Sequence, residues 1–174
     1  MIIPGFLISI ATFPGVIVHE FAHMLFCKLR GVAVLDVCSF RFGNPAGYVV
    51  HEDTSDFTTS FLVSVGPFLI NSLLCIFICF PAFTPLKVFG LKQPLSYAML
   101  WLGVSIGMNA FPSTQDARNL FHQAKKAVST ANPLAILSFP IVVAIYIVNI
   151  LSFFWADYLY GTGIGLGLPS LIFK

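Results

Sequence analysis

Four apolar runs of roughly bilayer-spanning length leave this chain few ways to fold. A membrane helix needs about 20 mostly apolar residues. Residues 1–29 form the first run, interrupted by Pro4-Gly5 and Pro14-Gly15. Residues 57–83 form the second, entered through Thr54-Ser55-Asp56, which is good helix-capping chemistry. Residues 95–111 and 133–155 are the third and fourth. Composition agrees: of 174 residues, 57% are hydrophobic and 9% charged, against about 25% charged in soluble domains. A soluble domain of this size would be left with one large exposed apolar patch, and a disordered chain would be polar and highly charged. Nine Lys+Arg against seven Asp+Glu leave a net charge of +2, too thinly spread for a nucleic-acid binder. The expectation is an all-α polytopic membrane protein of about four transmembrane helices, in a cell membrane and surrounded by the lipid bilayer.

The stretches between the runs have other textures. Residues 32–42 are β-branched and aromatic, Gly43-Asn44-Pro45-Ala46-Gly47 is a turn signal, and Tyr48-Val49-Val50 resumes the extended pattern. That predicts a β-hairpin inserted after the first helix. Residues 113–131 carry Arg118, Lys125 and Lys126 and read as an amphipathic surface helix. The tail, 159–173, is apolar with Gly161, Gly163, Gly165 and Gly167 at alternate places. It fits a re-entrant segment, a fifth short span or a surface-lying end. The first run is too long, and its charges come too late, for a cleaved signal peptide. Lys28, Arg30 and Arg41 in the first loop and Arg118, Lys125 and Lys126 in the third outweigh Lys87 and Lys92 in the second. The first and third loops are therefore expected on the cytoplasmic side and the N-terminus outside, with Lys174 counted by the course of the tail. Cys27, Cys38, Cys75 and Cys79 form no CxxC pair and read as small apolar core residues. Gly103 and Gly107, four apart, mark a close-packing helix face.

Within the first run stands His19-Glu20-Phe21-Ala22-His23, an HExxH pattern. Residues four apart share a helix face, so both imidazoles can reach one zinc ion. Glu20, one position on from His19, stays near the metal, where it can accept a proton from an attacking water. A carboxylate inside a span costs about 2.5–3.5 kcal/mol on insertion scales and marks function. Catalytic zinc takes three protein ligands. The extended HExxHxxGxxH pattern fails, because Phe26 and Leu29 fill the last two places. The other candidates are Asp36, His51, Glu52, Asp53, Asp56, Asp116, His122 and Asp157. The third run travels in the same direction as the first, and Pro112 at its end lets Asp116 fold back toward the metal. Asp116 is the preferred third ligand, its other reading being a surface cap for the following helix. Glu52 and Asp53 come next, and Asp157 is expected on the wrong face. His51 and His122 read as loop residues. Asn109 fits either a donor to a developing oxyanion or a bond between helices.

HExxH in a membrane helix, then a hairpin, a helix with Gly66-Pro67 and Asn71, and a helix ending in Asn109-x-x-Pro112 before Asp116 resembles the site-2 protease family of intramembrane zinc metalloproteases. The resemblance covers about 19–116. It implies one zinc per chain on His19, His23 and Asp116, with Glu20 as general base. It further implies a single membrane-embedded metalloprotease domain over 1–174, its catalytic core at about 5–120. Its active site would lie near the cytoplasmic face and hydrolyse peptide bonds of a membrane protein or peptide substrate, which adds to the hairpin's strand edge. The family's Leu-Asp-Gly is Gln115-Asp116-Ala117 here, its Asn-to-Asp interval is one residue longer, and its Gly-Pro-x-x-Asn would put the amide at Ile70 rather than Asn71. The chain reads as a minimal, divergent member that begins almost at the catalytic helix. Two other functions fit parts of the pattern: a catalytically inactive zinc-binding scaffold or chaperone for membrane helices, and a metal transporter. The first has no need of Glu20, and the second calls for several polar sites along a pathway. No nucleic acid is implied, and no oligomer is specified.

Overall fold

The structure, a computed structural model, describes residues 5–54 and 56–173. The start of the first run at 1–4, the capping residue Ser55 and the charge of Lys174 lie outside the described residues.

The first run is not one helix. It divides into α1 (Gly5–Ala11) and α2 (Phe13–Leu29) at Thr12. Pro14 lacks the N–H that would continue the ladder, but it is well tolerated in the first turn of α2. Thr12 closes α1 instead, its hydroxyl donating to the Ile8 carbonyl at 2.9 Å. The hairpin follows as β1 (Val34–Cys38) and β2 (Tyr48–His51), antiparallel, with Val37 opposite Val49 and Cys38 opposite Tyr48. The first strand ends four residues before the expected limit at Phe42. Residues 39–47 form a loop stitched by Arg41, whose main-chain N–H reaches Ala46 O at 2.6 Å and whose Nε reaches Pro45 O at 3.0 Å.

The axis of the fold is α3 (Phe57–Lys87), 31 residues long and so about 46 Å. Asp56 caps it by accepting from the N–H groups of Thr58 and Thr59. Then come α4 (Pro94–Met108), α5 (Thr114–Ser129) and α6 (Pro133–Leu151), the last capped by Asn132. α3 and α6 are long and apolar enough to cross a membrane, whereas α2 and α4 have 17 and 15 residues. After α6, a single 3-10 turn leads to Trp155, whose φ of 70° breaks the helix before the chain continues along α3 in the same direction. The tail is helical: α7 (Ala156–Thr162), a π-helical stretch (Gly163–Gly167) and α8 (Leu168–Ile172).

Each half of α3 carries its own layer. Along the first half, α2 runs antiparallel, with Arg30 Nη2 donating to Thr59 Oγ1 at 2.9 Å and Gly66 lying against the Phe26 ring. The same half packs α5 and α6 into a core of Phe57, Val65, Ala117, Leu120, Ala124, Val142 and Ile145. The amphipathic helix expected on the membrane surface thus buries its apolar face here, while Arg118, Lys125 and Lys126 stay exposed. Along the second half, α4 packs Gly103 on Cys79 and Gly107 on Cys75, the close approach that small residues permit. The tail joins this layer antiparallel to α4: Gly161 lies on Met108, and Gly165 lies on Val104, Cys75 and Cys79. The tail is thus packed against α3 and α4. All four cysteines are free thiols, and Cys27, Cys75 and Cys79 are buried. α2 and α4 are parallel neighbours, and Trp101 Nε1 of α4 donates to Ala11 O at the end of α1, at 3.1 Å.

Candidate metal centre

The boundary between the two layers is where the polar groups gather. On α2, His19 and His23 are buried at 8% and 5% exposure. Their Nε2 atoms face each other 3.2 Å apart. Asp116 enters from the first turn of α5, with Oδ2 3.5 Å from His23 Nε2. Bonds of about 2.0–2.1 Å to a tetrahedral divalent ion require ligand atoms about 3.3 Å apart. Both measured edges fit that figure. One atom from each of the three residues lies within 4.8 Å of the others, so His19, His23 and Asp116 can hold a metal ion.

The two readings of Asp116 turn out to be one arrangement. Ser113 caps α5 by accepting from the Asp116 N–H at 3.2 Å, and its hydroxyl donates back to Asp116 Oδ2 at 2.5 Å. This reciprocal cap aims the carboxylate across at His23. Burial pushes the Asp116 carboxyl up, but the His23 ring and the Ser113 hydroxyl outweigh it and hold the group below the usual carboxylate range. An anionic carboxylate is the form that a metal ligand requires. The turn that delivers Asp116 begins earlier than expected: α4 ends at Met108, with Asn109 in the C-cap position, rather than running to Phe111.

Asn109 shapes the site through its main chain. Its carbonyl oxygen receives His19 Nδ1 at 2.8 Å and Asn71 Nδ2 at 2.8 Å. A carbonyl only accepts, so the proton of neutral His19 resides on Nδ1, leaving a lone pair on Nε2 toward Asp116 and His23. The Asn109 side-chain amide donates to Ser105 O at 2.9 Å and Thr12 Oγ1 at 3.1 Å. Of its two expected roles, the structure has the bond between helices. Asn71, fully buried, also donates to Ile106 O and Gly15 O, so it joins α2, α3 and α4 beneath the metal ligands.

Glu20 is 8% exposed and sits under the hairpin. A Cβ on Gly47 would lie 2.8 Å from Glu20 Cγ and 3.0 Å from Oε1, so the loop rests on this side chain. His19 and Glu20 open onto a cavity of about 540 Å³ between that loop, the α4–α5 turn and the elbow between α6 and α7. Asp157, expected on the wrong face, lines this cavity because α6 ends level with Pro112, whose carbonyl accepts from Asn149 Nδ2 at 3.1 Å. It is not part of the ligand group.

The remaining candidates are employed elsewhere. Asp36 accepts from the Tyr48 hydroxyl at 3.0 Å, Asp56 caps α3, and His51 bonds to its neighbour's carbonyl. Asp53 and His122 line a separate polar cleft, and Glu52 is exposed. Comparison with known proteins finds no matching family model, no matching curated protein and no matching solved structure.

Proposed function

We propose that the protein is an intramembrane zinc metalloprotease of site-2 protease type, hydrolysing peptide bonds of membrane-embedded protein or peptide substrates. One observation carries the reading: a triangle of two imidazole nitrogens and one carboxylate oxygen, with the Glu20 carboxylate buried beside it and facing a cavity. Two histidines, an acidic ligand and an open position suit zinc. Bound there, zinc would polarise the scissile carbonyl and acidify the attacking water.

The chain supplies the rest. The Asn109 carbonyl fixes the His19 tautomer, and Ser113 fixes the Asp116 carboxylate. Glu20 takes a proton from water and passes it to the leaving amine. The hairpin, already seated on Glu20, offers a strand edge to an unwound substrate segment. A zinc-binding scaffold would have no use for Glu20 in this position, and a transporter calls for several polar sites along a pathway.

In this reading α3 crosses the membrane, α2 and α4 lie beside it and run the opposite way, and α6 returns as far as the level of Pro112. The shared direction of α2 and α4 points both toward the side that carries Lys28, Arg30, Arg41, Arg118, Lys125 and Lys126. By the positive-inside rule that side is cytoplasmic, and the active site lies near it. On a Cys-free background, a cysteine at position 41 should be labelled from the cytoplasm and one at position 92 from outside.

The deciding experiment combines metal analysis of purified protein with cleavage of a co-expressed single-span substrate. Wild type should carry about one zinc per chain, and His19→Ala should lose metal and activity together. Glu20→Gln should keep its zinc while cleaving roughly 10²–10⁴-fold more slowly. Cleavage by Glu20→Gln at the wild-type rate would end the mechanism. Full zinc content in a His19→Ala, His23→Ala double variant would end the ligand assignment.

A further inference from the structure

The cavity that opens from His19 and Glu20 has a second carboxylate in its wall. The helix breaks at the left-handed Trp155 after α6, and the first turn of α7, where the chain continues along α3 in the direction of α6, lines the cavity with Asp157. The placement is held firmly. Asn149 Nδ2 bonds to the Pro112 carbonyl in the turn that leads to Asp116, and Ser152 Oγ donates to Asp157 Oδ1 at 2.6 Å.

This carboxylate is not consumed by its own helix. α7 has no side-chain cap, and among the described residues the hydrogen bond to Asp157 comes from Ser152, five residues earlier. Nor is it neutralised across the cavity. Among the described lining residues the carboxylates are Glu20 and Asp157, and none is Lys or Arg. A cleft with charge of one sign and low-dielectric walls concentrates the opposite charge. A partly buried carboxylate with spare acceptor capacity is best satisfied by a cationic donor.

We propose that Asp157 is a specificity-determining residue of the substrate site, selecting peptides that carry a Lys or Arg side chain in the stretch held in the cavity. The inference rests on the protease reading and names the substrate class of that same site. The cavity, about 540 Å³, is of the size that accommodates a short peptide stretch. The basic side chain enters with its apolar stem along Met108 and Phe111 and its charged end at Asp157 and Ser152.

The test uses apolar peptides, N-acetylated and C-amidated so that the side chain is the only cation. Three versions differ by Lys, Ala or Glu at positions walked across the cleaved bond. Wild-type protein in detergent should cleave the best Lys version with a kcat/KM at least about tenfold above its Ala counterpart, and the Glu version least. In Asp157→Asn the Lys-to-Ala ratio should fall to about one. In Asp157→Lys the Glu version should overtake the Lys version. A binding arm uses labelled peptides on Glu20→Gln protein, where Lys should again be preferred and Asp157→Asn should abolish the preference. Equal use of Lys and Ala by wild type, or a preference that survives Asp157→Asn, would overturn the assignment. The wild-type comparison decides even if the variants fold poorly. Binding that prefers Lys without cleavage of any peptide would overturn the protease reading while sustaining the role of Asp157. Peptides neither bound nor cleaved would overturn both.

Discussion

His19 and Asn109 are joined by a hydrogen bond from an imidazole Nδ1 to a main-chain carbonyl, 2.8 Å long. The same carbonyl is held from the opposite helix by Asn71. One metal ligand is therefore oriented by the end of α4, and the end of α4 by the middle of α3. A ligand's outer partner sets both its ring orientation and its basicity, and loss of such a partner costs about 10–100-fold in metal affinity.

Asn71→Ala tests this chain of contacts. It leaves buried carbonyls of Gly15, Ile106 and Asn109 without the amide, which should cost about 1–3 kcal/mol of stability. Zinc affinity should fall about tenfold as the Asn109 carbonyl loosens. Thermal unfolding in detergent and competition with a zinc chelator read the two effects separately.

Ser113→Ala removes both directions of the α5 cap. Loss of a capping hydroxyl costs about 1 kcal/mol, and the Asp116 carboxylate loses the donor that aims it. Zinc affinity should weaken about tenfold or more, and Ser113→Thr should restore most of it. Equal affinity in Ser113→Ala and wild type would mean that the cap plays no part in the metal centre.

Gly47→Val should separate metal binding from catalysis. The new side chain would collide with Glu20 and with Val16 Cγ1, 3.0 Å from the added Cβ, so the hairpin must lift or Glu20 must turn away. Zinc content should stay at the wild-type level while cleavage falls at least about tenfold. Metal analysis and initial rates on one substrate suffice.

Asp56 gives a pH signature independent of the metal. The Thr59 hydroxyl, 2.6 Å away, lowers its carboxyl most, followed by the Thr59 N–H; burial pushes it up, and the Thr58 N–H and Arg30 lower it further. Its folded pKa thus lies below its unfolded value, so its contribution is fully present above the unfolded pKa of about 3.9 and is lost as pH falls through the folded one. The unfolding temperature of wild type should exceed that of Asp56→Ala at pH 7, and the gap should close as pH falls below about 4. A gap independent of pH would remove the charged cap.

The sequence made some of this legible because spacing alone carries it. HExxH fixes two ligands on one helix face, and Asp56 before Thr58 and Thr59 announces the start of α3. Asp116 was legible only through the parallel course of two helices. Other features depend on groups that no residue type advertises. The partner of His19 is a main-chain carbonyl, which every residue possesses. The residue at Trp155 is left-handed without being a glycine, so nothing marked the helix break that sets Asp157 at the cavity. The break at Thr12 was signalled by Pro14, but a run of apolar residues looks continuous when only its hydropathy is followed. Asn71 missed its expected position by one residue, about 100° of helix rotation. That rotation turns it toward Asn109.

The arrival of Asp116 on α5 has a consequence for how the molecule is made. His23 and Asp116 stand 93 positions apart in the chain, with the hairpin, α3 and α4 between them. During synthesis the two histidines leave the ribosome first and wait as half of a site, while loop closure over that distance must precede any third ligand. A three-residue metal site of this kind is thereby postponed until α3 and α4 have been made and folded between the histidines and Asp116. If the proposed function holds, connectivity alone sets the moment at which the site becomes complete.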